Sequence, residues 1–279
     1  MPGGADLHSH TTASDGALSP RELVRLAAKQ SVRVLAVTDH DSVSGLPDAI
    51  DEAGRHGLEI VPGLEINCDV EGAEIHILGY CVDWQAEWFE TFLAGQRAER
   101  AARVHRIVER LGELGLPLTA DEVFAICREG SPGRPHVAQA MVNRGYVKSV
   151  REAFDRYLRS GGPANVPRRR LTPVEAVQVI RRAHGVPVLA HPGLANRDEM
   201  IPELVHAGLA GIEAFYPEHS AGQIEAYRAI CRERDLVATG GSDYHGVHTG
   251  RAGTLGSPHV PLDVWHALKH RAERLRTEP

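Results

Sequence analysis

The chain has 279 residues, of which 42% are hydrophobic and 24% charged, with a formal net charge of −6 at pH 7. This length buries a sizeable core as one large α/β domain or one domain carrying an insertion, and the composition is that of a globular protein rather than a disordered or fibrous one. The acidic balance argues against a general nucleic-acid coat but leaves room for a locally positive phosphate site, and the longest apolar runs fall far short of the ~20 residues of a membrane span.

Met1-Pro2-Gly3-Gly4 leads directly into strand-like sequence, so no signal peptide is expected. Four cysteines (Cys68, Cys81, Cys127 and Cys231) show neither CxxC spacing nor a disulfide framework. Reduced thiols and a cytoplasmic location are therefore expected.

Ala5 to His10 reads as the first strand, and alternate strand residues face one side, so His8 and His10 converge. Neutral imidazoles are common metal ligands. In a chain with 16 histidines, however, an isolated His-x-His pair is a weak signal. Ser19-Pro20-Arg21-Glu22 is a capping box with Pro at the first helical position, opening a helix to about Gln30. Val32 to Thr38 is a β-branched strand ending in Asp39-His40-Asp41, and a helix from about Gly45 to His56 stops at Gly57. Glu59 to Asn67 is the third strand, carrying Glu65, and Glu74 to Val82 the fourth, carrying His76.

From Trp84 to about Leu158 the pattern is helical, with a long helix through Arg97, Arg100 and Arg103 to about Leu114. A second helix opens at the capping box Thr119-Ala120-Asp121-Glu122, and others cover about Pro135 to Asn143 and Ser149 to Leu158. Gly161-Gly162-Pro163 and Pro167 mark a linker. A helix capped by Thr172-Pro173-Val174-Glu175 ends at Gly185. Strands return at Val186 to Ala190, Gly211 to Tyr216 and Leu236 to Thr239, and a helix from Leu262 to about Leu275 closes the chain.

Alternation at this spacing predicts parallel strands with helical crossovers. Seven strands suggest an α/β fold of distorted (β/α)7 barrel type, one unit short of the eight-stranded barrel, although periodicity alone does not separate it from an open sheet. Residues 1–83 and 168–279 form the expected barrel, and residues 84–167 an inserted all-helical subdomain.

Potential metal ligands gather at or just past the ends of these strands. The first contributes His8 and His10, with Asp15 in the following loop; the second His40, the third Glu65, the fourth His76 and the fifth His191. The sixth carries Glu213, with Tyr216 and His219 beyond, and the seventh leads to Asp243 and His245. Parallel barrels assemble active sites at the C-terminal face, so a multinuclear metal site is a simpler reading than a set of unrelated core histidines, each needing its own partner. Mixed imidazole and carboxylate ligands suit Mn, Zn or Fe better than an all-oxygen Mg site. Asp39 and Asp41 either orient His40 or cap the following helix. His56, His105, His184, His206, His248, His259, His266 and His270 lack such a context and are expected at the surface.

In order, DLHSH, TDHD, the Glu65 strand end, EIHILGY, AHPG and GSDYH resemble the motifs of the polymerase and histidinol phosphatase (PHP) family. The resemblance implies a distorted seven-stranded barrel that holds two or three divalent ions, manganese first with zinc or iron as alternatives, and cleaves phosphoesters. It assigns one ion to His8, His10, Glu65 and Asp243. A second shares Glu65 and adds His76 and His191; a third uses Asp15, His40 and His245. A hydroxide held between two ions bridged by Glu65 would attack phosphorus, with the third ion or His219 assisting the leaving oxygen.

Many family members have His where this chain has Asp15, and its Ser-Asp-Gly form resembles the subgroup acting on nucleoside 3′,5′-bisphosphates and on 5′ ends of short RNA. Ser131-Pro132-Gly133-Arg134-Pro135-His136 and Gln96-Arg97-Ala98-Glu99-Arg100 resemble that subgroup's phosphate contacts, which implies substrate roles for Arg97, Arg100, Arg134 and His136, with His219 matching a family substrate histidine. Arg103, Arg106 and Arg110 read as a solvated helix face. The implied partner is a small nucleotide or a short RNA 5′ end, with no membrane and no stable protein partner. Histidinol-phosphate phosphatase is the rival activity. A non-catalytic, metal-stabilised module is the rival class, but such modules typically lack part of the ligand set and this chain carries all nine. No GxSxG elbow or Walker A sequence is present. Cys127 to Arg134 has six intervening residues rather than the five of a cysteine-phosphatase loop.

Overall fold

A computed structural model describes residues 4–70, 73–127, 130–166, 171–247 and 253–277. Pro167 of the expected linker and His248 lie outside the described residues, as do the first three positions.

Seven strands form one sheet in sequential order: β1 (Ala5–Asp6), β2 (Val34–Val37), β3 (Glu59–Val70), β4 (Ala73–Tyr80), β5 (Val186–Leu189), β6 (Gly211–Phe215) and β7 (Val237–Gly240). The Leu7 N–H donates to the Gly240 carbonyl at 3.2 Å and Ser9 bridges Tyr244 in parallel register, so the two edges meet and the sheet is a nearly closed barrel. The expected α/β barrel is borne out.

The expectation of uniformly parallel strands is not. β4 runs antiparallel to both β3 and β5, with Asn67 opposite His76 and Glu65 opposite Leu78. Val70 pairs with Ala73, and so short a connection cannot carry a helical crossover, which takes a dozen or more residues. His76 accordingly sits in the first half of its strand, not at its C-terminal end. The reversal brings it to the same rim as the ends of its parallel neighbours.

The helices are α1 (Pro20–Lys29), α2 (Leu46–Gly54), α3 (Glu87–Glu113), α4 (Ala120–Cys127), α5 (Arg134–Asn143), α6 (Val150–Ala153), α7 (Pro173–Arg182), α8 (Pro192–Ala195), α9 (Ile201–His206), α10 (Ala221–Glu233) and α11 (Leu262–Thr277). Capping boxes at Ser19, Thr172 and Ser220 open α1, α7 and α10 by satisfying first-turn N–H groups. Side chains alternate along the strands. Val34, Ala36, Val61, Leu78, Val186 and Val188 share one core with Trp265 and Leu268 of α11. Leu35, Leu64, Ile66 and Ile77 pack in another, with Leu23, Leu46 and Ile180 of the surrounding helices. The apolar plug and α11 fill one end of the barrel, which leaves the other end to polar side chains.

α3, 27 residues and about 40 Å long, joins two cores. Phe89 and Leu93 pack with the barrel's outer core, whereas Val104, Ile107 and Leu111 join Val123, Val137 and Met141 in a separate one. Its middle turn, with Arg97, Arg100 and Arg103, lies between the two.

Candidate active site

Beyond β1 the chain is held from three sides. The buried Asp6 accepts from the Ser242 N–H at 2.9 Å and the Gly256 N–H at 2.7 Å, and the Ser9 hydroxyl donates to the Ala36 carbonyl at 2.6 Å. These bonds align the segment carrying His8 and His10 with the one carrying Asp243. His8 Nε2 and His10 Nε2 are 3.1 Å apart. Asp243 Oδ1 lies 3.3 and 3.2 Å from them, and Glu65 Oε2 3.5 and 3.3 Å. His8, His10 and Asp243 thus form one group of ligand atoms within 4.8 Å of one another, and Glu65 faces the same two imidazoles. Separations of 3.1–3.5 Å suit ligands that share an ion about 2.1 Å away.

The rest of the rim continues from Glu65. Its Oε1 is 2.8 Å from His76 Nδ1 and 3.1 Å from His191 Nε2, and its Oε2 is 2.9 Å from His40 Nδ1. His10, Asp15, His40 and His245 form a further group of ligand atoms within 4.8 Å of one another, with His245 Nε2 3.2 Å from Asp15 Oδ1. All nine side chains expected at one mouth are brought together there.

Surrounding groups fix which ring nitrogens face inward. Glu213 Oε1 takes the His8 Nδ1 proton at 2.9 Å, and its Oε2 accepts the His191 N–H at 2.8 Å. The Asp243 carbonyl takes the His245 Nδ1 proton at 2.8 Å. In their neutral form both rings thereby turn Nε2 toward the cluster as the acceptor nitrogen. The Tyr216 hydroxyl donates to Asp243 Oδ2 at 3.0 Å and leaves Oδ1 to the imidazoles. Asp39 accepts from the Thr11 N–H and from the Thr11 and Ser14 hydroxyls, shaping the loop that delivers Asp15. Asp41 pairs with Arg100 at 2.7 Å.

Charge is concentrated here among largely buried side chains. Burial drives His40 down to about 3. Burial also opposes charge on His10, but the facing carboxylates of Asp243 and Glu65 outweigh it and raise the ring to about 9. Glu65 is buried, yet the facing His76, His40 and His8 hold it well below the usual carboxylate range.

A cleft opens beside this rim. Asp15, His40 and His76 line its barrel side, and Arg100, Arg103 and Arg134 line the side formed by α3 and α5. Arg100 is buried and donates to Asp41, to Asn67 and to the Pro132 carbonyl. Arg134 pairs with Glu74 and stacks over Phe154 at 5.4 Å. Arg103, expected on a solvated face, lines the cleft instead. It lies three residues from Arg100 on the same helix face and donates to the Val166 carbonyl at 2.8 Å. Arg106 and Arg110 are exposed, as expected.

Three of the expected substrate contacts, Arg97, His136 and His219, do not line this cleft. Arg97 donates to the Asp41 carbonyl at 3.1 Å and to Glu90. His136 is buried at the start of α5, its Nδ1 accepting from the Gly133 N–H. His219 has both ring nitrogens on backbone, one on the Ala214 carbonyl and one on the Gly193 N–H. The seven described histidines expected at the surface are exposed. Asn67, Glu74 and Arg103 were missed as site residues. Asn67 was open to inference, because it stands two positions from Glu65 and so shares its strand face.

The donor set fits divalent ions. Glu65 Oε2 and His40 Nδ1 are buried without an aligned hydrogen bond, and Glu65 Oε2 faces three imidazole nitrogens within 3.5 Å. Such groups are costly without a partner, and a cation at their centre satisfies all of them.

The PHP domain family matches residues 6–166. The chain is 36% identical over 247 residues to the 5′-3′ exoribonuclease Rnm of Escherichia coli, covering 86% of this chain and 84% of that protein. It is 32% identical to a 3′,5′-nucleoside bisphosphate phosphatase of Chromobacterium violaceum, over 96% of this chain and 98% of the relative. A crystal structure from Bifidobacterium adolescentis, described as a metal-dependent phosphoesterase, superimposes with a TM-score of 0.89 at 31% identity over 97% of each chain. With the barrel, the ligand-rich rim and these relatives together, the chain belongs to the PHP family and is a metal-dependent phosphoesterase.

Proposed function

We propose that the chain hydrolyses phosphoesters of nucleotides that carry a second phosphate: the 3′-phosphate of nucleoside 3′,5′-bisphosphates, the 5′ ends of short RNA, or both. The observation that carries this reading is the adjacency of the ligand cluster and the arginine-lined cleft, which share Asp15, His40 and His76 as a common wall. A substrate with one phosphate at the cluster and another among Arg100, Arg103 and Arg134 uses both halves. Guanidinium forks match phosphate oxygens in pairs. Histidinol phosphate has no second phosphate to engage these guanidinium groups, so it is the poorer fit.

Two or three divalent ions are assigned to His8, His10, Glu65 and Asp243; to Glu65, His76 and His191; and to Asp15, His40 and His245, with manganese the first choice. When bound, such ions supply Lewis acidity toward the phosphoryl oxygens and lower the pKa of water to near neutrality. The protein's own part is positional. Glu213 and the Asp243 carbonyl hold ring tautomers, Tyr216 holds the Asp243 carboxylate, and the arginines anchor the non-reacting phosphate and compensate charge as the ester breaks. Barrel residues 1–83 and 168–279 carry the reacting centre, and the helical segment 84–167 supplies the anchor.

The test is an assay of metal-replete protein on adenosine 3′,5′-bisphosphate, histidinol phosphate and a 5′-phosphorylated oligoribonucleotide. Turnover of the first, the third or both is expected. Turnover of histidinol phosphate alone would reject the nucleotide assignment.

A further inference from the structure

Glu74 lies in the cleft wall near the start of β4, and its two oxygens are shared between two guanidinium groups. Oε2 pairs with Arg134 Nη2, and Oε1 lies 3.5 Å from Arg103 Nη1. Both arginines are also held by other groups. Arg134 donates to the Leu158 carbonyl at 3.1 Å and lies over the Phe154 ring. Arg103 donates to the Val166 carbonyl at 2.8 Å and to Asn165 Oδ1 at 3.3 Å. Glu74 therefore has little positional work to do, and what it adds is one negative charge. Carboxylate and phosphate offer a guanidinium the same kind of oxygen edge. The Glu74 side chain is 25% exposed, so its carboxylate can turn into solvent without becoming a buried, unpaired charge.

We propose that Glu74 is a resident anion in the seat of the substrate's second phosphate, which that phosphate displaces as it binds. The inference rests on the reading of the cleft as the phosphate anchor and names the residue that limits its strength. An incoming phosphate gains only the difference between its own pairing with Arg103 and Arg134 and that of the carboxylate. The displacement costs every phosphate ligand the same, and a ligand with a second attachment offsets it. A bisphosphate has that attachment at the ligand cluster, within the same molecule. A monophosphate does not. Glu74 thereby determines specificity against monophosphates, among them the adenosine 5′-monophosphate left when adenosine 3′,5′-bisphosphate loses its 3′-phosphate.

The experiment is calorimetric titration of adenosine 5′-monophosphate into the metal-loaded full chain. Glu74→Gln keeps the size of the side chain and removes its charge, and is expected to bind this probe about tenfold more tightly than wild type. Glu74→Asp keeps the charge and is expected to stay near wild type. Adenosine, which has no phosphate, is expected to bind all three proteins alike. Adding Arg134→Ala to Glu74→Gln is expected to abolish the gain, which separates the cleft from phosphate binding at the ligand cluster.

Thermal melts identify any variant that fails to fold, and Glu74→Ala makes the same comparison if Glu74→Gln does not fold. Equal or weaker binding by Glu74→Gln overturns the proposal, because the carboxylate would then order the arginines rather than compete for them. An equal gain for adenosine overturns it as well. If Arg134→Ala alone still weakens the probe in either case, the cleft stands as the phosphate anchor and only the role of Glu74 falls. Binding indifferent to Arg134→Ala would remove the anchor itself. The titration needs no turnover, so it decides whatever the substrate assay shows.

Discussion

The Nδ1 of His8 lies 2.9 Å from Oε1 of Glu213, and both side chains are sealed from solvent. The carboxylate holds the ring in the one tautomer that offers Nε2 to His10, Asp243 and Glu65, and its second oxygen fixes the His191 backbone. Carboxylates that orient ligand histidines typically account for 10–100-fold in metal affinity. Glu213→Gln is expected to weaken ion binding by about that factor, as read by competition with a chelator. Unchanged affinity would show that His8 is oriented by other means.

The raised pKa of His10 gives a pH signature with a definite sign. A ring lifted from an ordinary value near 6.5 to about 9 binds a proton more tightly folded than unfolded. The stabilisation, up to about 3 kcal/mol, is complete below 6.5 and disappears as pH rises through 9. Metal-free protein should therefore melt at lower temperature at pH 9.5 than at pH 6.5. A bound ion needs the same ring bare, so the gain in melting temperature on adding metal should grow over that interval. Parallel melting curves with and without metal, separated by a constant gap, would contradict this.

Arg134 and Arg103 line the cleft away from the ligand cluster. Replacing either with Ala should raise KM for adenosine 3′,5′-bisphosphate by about 10- to 100-fold, the loss of one charge-assisted pair of about 1.5–3 kcal/mol. It should change KM for a substrate with one phosphate much less. Equal effects on both substrates would place the second phosphate elsewhere.

Gly241 has no room for a side chain. A Cβ there would come within 2.4 Å of the His8 nitrogen and 2.5 Å of its Cβ. Neither neighbour can yield without moving the segment after β1 that carries His8 and His10. Gly241→Ala is expected to cost about 1–3 kcal/mol of stability and to impair ion binding, measured by melting and by metal content after dialysis. Wild-type metal content in the variant would contradict the account of how these segments are held.

Much of this arrangement was legible in the sequence because barrel strands are short apolar runs and the polar residue closing each run marks the rim. His40, Glu65, His191 and Asp243 could be read that way. The direction of β4 could not be read from alternation, which looks the same from either end. The short link between Val70 and Ala73 was the cue, and it places His76 at the rim by reversal. Arg103 and Arg106 have the same composition and helical phase signals, and only the packing of α3 between two cores separates a cleft residue from a solvated one. His136 and His219 carry motif signals, but His136 Nδ1 and both ring nitrogens of His219 are taken up by backbone, which no spacing rule foretells. Asn67 does not titrate and belongs to no motif. Its strand face, two positions from Glu65, was open to inference, but its contacts with His76 and Arg100 were not.

The central claim is that Glu65 joins the ligand groups into one reacting centre, since both of its oxygens face imidazoles. Its most direct test is the rate of phosphate release from adenosine 3′,5′-bisphosphate by metal-loaded Glu65→Gln beside wild type, with the fold checked by melting. The account predicts a loss of at least about a hundredfold together with fewer ions bound per chain. A folded variant with wild-type turnover and full metal content would contradict it.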